Sequence, residues 1–97
     1  MKLVVSPAAL AELHDAAAFY TLKANVDLGL AFVAEFERTA NFVLTNPLIG
    51  AVFRGNRRHY TLRRFPYSII YHVTAEELQI LAVAHHRRRP SYWAQRK

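Results

Sequence analysis

Cysteine is absent from the 97 residues of this sequence, and glycine occurs only three times. The absence of cysteine excludes a disulfide framework, a zinc ribbon and a thiol nucleophile. Three separate glycines cannot form a glycine-rich loop for phosphates. No apolar run reaches the roughly 18–20 residues that span a bilayer, and the apolar run near the start is too short for the core of a signal peptide. We therefore expect a cytoplasmic protein that makes no contact with a membrane.

Apolar residues are plentiful, at 53% of the chain, and include six Phe, five Tyr and one Trp. This fraction is enough to bury a core and argues against intrinsic disorder. The length is close to that of one typical domain, about 100–150 residues. We therefore expect residues 1–97 to form a single domain.

Positive charge is concentrated in the second half of the chain. Residues 1–53 have a net charge of −2, whereas residues 54–97 have a net charge of +8, and ten of the thirteen basic residues are arginine. The planar guanidinium group binds phosphates and carboxylates well and stays charged at any relevant pH. The second half is therefore expected to bind an anion, either nucleic acid or an acidic protein segment.

Hydrophobic periodicity predicts one strand, two helices and then three strands. Residues 2–5 are β-branched and apolar, and Ser6-Pro7 has the N-cap and first-turn proline that begin a helix, which runs to about Lys23. Apolar residues recur at helical spacing between Asp27 and Thr45, which predicts a second helix. The joint between the helices is short, so we expect an antiparallel hairpin.

The period changes from 3.6 to 2 after a predicted loop over residues 48–56. Residues 58–63 and 67–73 alternate as strands do, and residues 78–84 are apolar on both faces except at Gln79, which is typical of a central or doubly covered strand. Strands grouped apart from helices indicate the α+β class. The expected fold is β-α-α-β-β-β, with the helical hairpin packed on a mainly antiparallel four-stranded sheet. The pattern does not place the first strand within that sheet.

The segment that follows the most apolar strand combines basic and aromatic residues: His85, His86, Arg87, Arg88, Arg89, Pro90, Tyr92 and Trp93. Pro90 is expected to end the strand ladder because it has no N–H, and Trp93 to fold back as an apolar anchor that holds the arginines in place. A basic surface interleaved with aromatic rings suits phosphate contacts and base stacking, and it suits an acidic peptide equally well.

Other kinds of site have little support. The acidic residues of the helices are expected to form a solvated face rather than a catalytic pair. His85 and His86 are adjacent, and adjacent strand residues point to opposite faces, so they cannot both ligate one ion without distortion. We expect neither a metal nor another cofactor.

Several segments resemble the RelE/ParE superfamily of bacterial type II toxins, often labelled plasmid stabilisation proteins. The matching segments are Ser6-Pro7-Ala8-Ala9, Asn46-Pro47, Leu62-Arg63-Arg64-Phe65-Pro66-Tyr67 and Arg88-Arg89-Pro90 with Tyr92-Trp93. They cover nearly the whole chain in the family's order, and the family's strand–helix–helix–three-strand fold is the one that the periodicity predicts.

The resemblance implies a toxin that a cognate antitoxin silences in a hetero-oligomeric complex. ParE-like members inhibit DNA gyrase without known chemistry of their own, and the Phe-Pro-Tyr and Arg-Pro-Ser-Tyr-Trp segments look more like this branch. The implied role is therefore gyrase inhibition by binding. The target surface would be formed or supported by Arg87, Arg88, Arg89, Tyr92 and Trp93, and the antitoxin would lie in an apolar groove along the hairpin and sheet.

RelE-like members instead cut messenger RNA on the ribosome without a metal, and this is the alternative activity. It would use Arg64, His86, Arg88 and Tyr92 as catalytic residues. The lysines of such enzymes are replaced here by arginines, which are poor general bases because they do not readily lose a proton. A third alternative is a non-toxic binding module derived from such a toxin.

Overall fold

A helical hairpin covers one face of a five-stranded sheet in the computed structural model, which describes residues 1–89 and 91–96. Pro90 and its predicted effect on the strand ladder lie outside the described residues. The elements are β1 (Lys2–Val5), α1 (Pro7–Lys23), α2 (Val26–Thr45), β2 (Ala51–Val52), β3 (Arg57–Thr61), β4 (Tyr67–Val73) and β5 (Glu77–His85). The α+β class and the helical hairpin on a mostly antiparallel sheet are confirmed.

The sheet has the strand order β1-β5-β4-β3-β2, with one strand more than the periodicity predicts. The additional strand is β2, whose two residues pair antiparallel with β3 inside the expected loop. Two residues are too few to give a periodic signal. The structure also places β1, which lies parallel to β5 at the opposite edge, so β5 is an interior strand as its apolar composition predicts.

Side chains cap the first turn of both helices, and for α1 this is the Ser6 cap that the sequence predicts. The Ser6 Oγ accepts a hydrogen bond from the Ala9 N–H at 3.1 Å, and the Asn25 Oδ1 accepts one from the Leu28 N–H at 2.8 Å. The helices approach closely at Gly29, where a Cβ would clash with the Thr21 hydroxyl. Within residues 1–89 and 91–96, no helix combines the length and apolar character needed to cross a bilayer.

The two faces of the sheet have different surroundings. Tyr67, Ile69 and Tyr71 of β4 pack towards the helices in the main core, as the period-2 pattern predicts. A register shift between Ile70 and Tyr71 gives β5 one extra residue there, so Ile80 and Val83 both belong to the main core although they are three positions apart. The face away from the helices has a smaller apolar cluster built from Ile70, Ala82 and Trp93.

Candidate functional site

The chain after β5 folds back over the sheet face that lies opposite the helices. We call residues 86–89 and 91–96 the C-terminal segment; it consists of turns, closed for example by the hydrogen bond from the Tyr92 N–H to the Arg89 carbonyl at 3.3 Å. Trp93 is only 3% exposed and packs against Ile70 and Ala82. The expectation that Trp93 folds back as an apolar anchor is therefore confirmed.

A second attachment of the C-terminal segment is made by Glu12 of α1. The strand β1 ends at Val5, opposite Ile80, so the edge of β5 beyond Ile80 has no pairing to β1. Glu12 occupies that edge, and its Oε1 accepts a hydrogen bond from the Val83 N–H at 3.0 Å. The carboxylate thus replaces the strand partner that β1 does not supply.

The same carboxylate binds two side chains of the C-terminal segment. The Tyr92 hydroxyl donates to the Glu12 Oε2 at 2.6 Å, and the Arg96 Nη1 and Nη2 donate to Oε1 and Oε2 at 2.8 and 3.3 Å. We call Glu12, Tyr92 and Arg96 the Glu12 network. Hydrogen bonds to a charged group are stronger than those between neutral groups. The network therefore ties α1, the edge of β5 and the C-terminal segment together.

The expectation that the helix acids form a solvated face is wrong for Glu12 and also for Glu35. Their side chains are 15% and 11% exposed, and each forms an ion pair, with Arg96 and Arg38 respectively. Glu35 also accepts a hydrogen bond from the Arg63 N–H at 2.7 Å. Helical spacing places both acids off the apolar stripe, but it does not indicate that distant parts of the chain cover them.

Burial of Tyr92 and its hydrogen bond to Glu12 both raise the pKa of the phenol well above its ordinary value. The hydroxyl therefore keeps its proton and acts as a donor to the carboxylate. The hydrogen bond to Glu12 likewise raises the pKa of Arg96, so the guanidinium group stays charged.

The three consecutive arginines lie on the surface of the C-terminal segment. Arg87, Arg88 and Arg89 are all exposed, and neither ion pair found among residues 1–89 and 91–96 involves them. The Arg88 guanidinium carbon lies 3.9 Å from the centre of the Tyr92 ring, a cation–π arrangement that orients it. The result is a group of positive charges that a partner can reach.

A cleft of about 340 Å³ lies between the C-terminal segment and strands β3 to β5. Six of the residues singled out in the sequence line it: His85, His86, Arg88, Arg89, Tyr92 and the buried Trp93. Arg87 is not part of the lining. The cleft floor includes the side chain of Ser68, whose Oγ lies 2.9 Å from the His86 Nε2 and 3.2 Å from the Thr61 Oγ1.

Arg64 lies away from the cleft, whereas His85 lines it and also contacts Tyr67. Arg64 stacks over Phe65 at 5.4 Å and does not line the cleft, so the structure does not bring it together with His86, Arg88 and Tyr92. His85 packs edge-on against Tyr67 with ring centres 4.9 Å apart, and its burial lowers its pKa. Among residues 1–89 and 91–96, no three His, Cys, Asp or Glu side chains are grouped closely enough to hold a metal ion.

Sequence reasoning missed three residues that build this site: Glu12, Phe53 and Arg96. Phe53 lines the cleft beside Trp93, with ring centres 5.6 Å apart, and Arg57 donates a hydrogen bond to the Arg96 carbonyl at 2.8 Å. These contacts join residues that are about 40 to 84 positions apart. Local patterns contain no signal for such contacts.

The sequence matches the family model of the ParE toxin of the type II toxin–antitoxin system parDE over residues 3–90. Among solved structures, the fold is similar to a chain described as the chromosomal ParDE TA system from P. aeruginosa, with a TM-score of 0.79 and 24% sequence identity. That similarity covers 88% of this chain and 95% of the other. A comparison with curated proteins gave no match.

Proposed function

This chain belongs to the ParE toxin family of type II toxin–antitoxin systems, and we propose that it inhibits DNA gyrase by binding and is neutralised by a cognate antitoxin. The observation that carries the proposal is the anchored arginine surface: Arg87, Arg88 and Arg89 are exposed on a segment that Trp93 and the Glu12 network attach to the fold. Attachment matters because a surface that is ordered before binding loses less conformational entropy when the partner arrives.

Charge complementarity supports a target that is bound to DNA. Gyrase acts on DNA, and guanidinium groups form bidentate hydrogen bonds with phosphates. The ring of Tyr92 holds Arg88 from one face, and the N–H groups in the guanidinium plane can still donate. Trp93 is buried, so we assign it a supporting role beneath the arginines rather than a direct contact.

The geometry of Tyr92 favours binding over cleavage of messenger RNA. A general base or acid works best with a pKa near the operating pH, whereas the environment of Tyr92 raises the pKa of its hydroxyl, which already donates to Glu12. In addition, Arg64 lies outside the cleft that contains His86 and Arg88. We therefore keep the ribosome-dependent endoribonuclease as the outcome that the experiment below must separate from gyrase inhibition.

The proposed antitoxin site is the helical hairpin, where both helices expose large apolar side chains. Leu22 is 85% exposed and Leu30 is 62% exposed, with Phe19 and Val26 also at least half exposed. Exposed apolar surface of this kind marks protein–protein contact sites. An antitoxin segment that buries these side chains would bind a part of the fold distinct from the C-terminal segment.

The first experiment induces the toxin without antitoxin and follows the incorporation of labelled thymidine and labelled methionine over the first minutes. Gyrase inhibition predicts that DNA synthesis falls first while protein synthesis continues. An immediate stop in protein synthesis would instead support the endoribonuclease. Unchanged synthesis of both, in cells shown to contain folded protein, would favour the non-toxic binding module.

The matched variants test which residues act on the target. The double substitution Arg88→Ala and Arg89→Ala should weaken inhibition of purified gyrase in a supercoiling assay by about a hundredfold or more. Each of the two lost charge-assisted contacts contributes about 1.5–3 kcal/mol, and about 1.4 kcal/mol corresponds to a factor of ten. Arg63→Ala removes an exposed arginine outside the C-terminal segment and should inhibit as the unchanged protein does. Full inhibition by the double variant would show that the arginines of the C-terminal segment do not form the target surface.

The antitoxin site is tested separately with Leu22→Glu and Leu30→Glu. Both positions are exposed on the hairpin, so the fold should tolerate the change. Co-purification with the cognate antitoxin should be lost, while gyrase inhibition is retained. Retained co-purification would place the antitoxin elsewhere on the protein.

A further inference from the structure

In the part of the chain that the structure describes, the charged side chains that line the cleft beneath the C-terminal segment are all basic. Arg88 and Arg89 contribute guanidinium groups, three histidines and the hydroxyls of Thr61 and Ser68 contribute further polar groups, and no carboxylate is present in the part of the lining that the structure describes. Positive groups with no carboxylate in the same described lining favour an anionic ligand. Its volume of about 340 Å³ is near the lower end of the range, about 300–1,000 Å³, found for small-molecule sites.

The guanidinium groups of Arg88 and Arg89 have N–H donors that a ligand can use. Among residues 1–89 and 91–96, the side chains of Arg88 and Arg89 donate no hydrogen bond to protein. Arg88 already has one face against the Tyr92 ring, so its orientation is partly fixed before a ligand arrives. This arrangement suits the several oxygens of a phosphate group.

The floor of the cleft adds a chain of hydroxyl groups. The His86 Nε2 lies 2.9 Å from the Ser68 Oγ, which lies 3.2 Å from the Thr61 Oγ1. Each hydroxyl has one hydrogen to donate, so while the hydrogen bond between Ser68 and Thr61 is kept, one of the two can still donate to a ligand oxygen. The two hydroxyl groups and the two arginines therefore line the same cleft.

One wall of the cleft is aromatic. Phe53 is 37% exposed and lies against His59 and Trp93, with ring centres 5.5 and 5.6 Å away. A flat ring can stack on such a wall, and base–aromatic stacking contributes about 1–3 kcal/mol per base. The cleft therefore combines a platform for a planar ring with donors for a phosphate.

We propose that this cleft binds one nucleotide unit, with the phosphate held by Arg88 and Arg89 and the base stacked on Phe53. The site goes beyond the proposed gyrase inhibition and depends only on the chemistry of the cleft. A free mononucleotide and the phosphorylated end of a nucleic-acid strand present the same groups. The experiment below distinguishes these two sources.

Trp93 is the only tryptophan of the chain and lines the cleft, so its fluorescence reports on ligands that enter it. The full-length protein is titrated at constant salt with 5′-AMP, adenosine, inorganic phosphate, and a six-nucleotide thymidine strand with or without a 5′-phosphate. We expect a saturable change in Trp93 fluorescence with 5′-AMP. Its half-saturating concentration should be at least about tenfold lower than that of adenosine or of phosphate alone, because the ring and the phosphate contribute together. Calorimetry checks that the optical change is binding.

The strands identify the source of the ligand. A phosphorylated strand that binds about tenfold more tightly than 5′-AMP and than the unphosphorylated strand would assign the cleft to strand ends. Equal affinity of 5′-AMP and the phosphorylated strand would assign it to free mononucleotides. Equal affinity of the two strands, with no saturable binding of 5′-AMP, would indicate attraction by charge alone and would overturn the proposal.

Variants test the assigned contacts. Arg89→Ala and Phe53→Ala should each weaken 5′-AMP binding about tenfold, whereas Arg63→Ala, which removes an exposed arginine outside the lining, should not. Circular dichroism confirms that each variant is folded. Binding that neither Arg89→Ala nor Phe53→Ala changes would overturn the proposal. Because gyrase is absent from these titrations, their result is independent of the supercoiling assay.

Discussion

Replacement of Glu12 by alanine should release the C-terminal segment and destabilise the whole fold. The substitution removes one carboxylate that accepts hydrogen bonds from the Val83 N–H, from the Tyr92 hydroxyl and from Arg96. Breaking a buried ion pair by removing one partner costs about 3–5 kcal/mol. The Arg96 side chain is 26% exposed and can regain water, so we expect the lower end, about 3 kcal/mol.

The assay is thermal unfolding followed by far-UV circular dichroism and by Trp93 fluorescence. For a domain of this size, about 1 kcal/mol shifts the Tm by roughly 4–8 °C, so Glu12→Ala should melt about 12–24 °C below the unchanged protein. The Trp93 emission should also shift to longer wavelength below the main transition, because the segment that carries Trp93 loses one of its attachments.

Two further variants separate the network from a general charge effect. Glu12→Gln keeps an acceptor for the Val83 N–H but loses the ion pair, and its cost should be smaller, about 1–2 kcal/mol. Asp15→Ala removes an exposed acid from the same helix and should change stability by no more than about 0.5 kcal/mol. If Glu12→Ala melted within about 2 °C of the unchanged protein with unaltered Trp93 emission, the reasoning on the network would be refuted.

Three other substitutions test the packing and the pH dependence of stability. Gly50→Ala should lower the free energy of unfolding in urea by about 1–3 kcal/mol, because a Cβ there would lie 2.5 Å from the Tyr71 hydroxyl. An unchanged urea midpoint would show that Tyr71 can move aside. The Arg38 guanidinium beside Glu35 lowers the pKa of that carboxyl to about 2, against an ordinary 4.5. The ionised carboxylate therefore stabilises the fold above pH 4.5, and this stabilisation is lost as the pH falls towards 2. Glu35→Gln should therefore reduce the acid sensitivity of the Tm in that window, and an identical pH profile would contradict this assignment. Trp93→Ala should destabilise the fold by about 3–5 kcal/mol, measured by circular dichroism, and should weaken the proposed gyrase inhibition. Inhibition that survives in folded Trp93→Ala protein would show that the anchor is not needed for the proposed target surface.

The helices and most strands could be predicted from sequence because their signals are local. The caps at Ser6 and Asn25 and the change from helical to strand periodicity depend on residues a few positions apart. The strand β2 was missed because two residues carry no period, and it forms only through pairing with β3. The position of β1 beside β5 likewise depends on a contact between the two ends of the chain.

Only part of the candidate site could be predicted from the sequence. The basic and aromatic composition of residues 84–93 indicated an anion-binding surface, and the anchoring role of Trp93 was predicted from its place shortly after the most apolar strand. The depth of the cleft, the aromatic wall at Phe53 and the hydroxyl groups on its floor required the strands to be in register. Which of the candidate residues share one cavity was therefore a structural result.

By itself, the sequence determined the order of the elements, the α+β class, the concentration of positive charge in the second half and the resemblance to a toxin family. Each of these depends on residue type and short spacing, which the chain carries whether or not it is folded. Only the tertiary structure decided that Glu12 closes the edge of β5 and binds the C-terminal segment. Such contacts follow from where β1 ends and how α1 crosses the sheet, and this geometry exists only once distant parts of the chain have packed together.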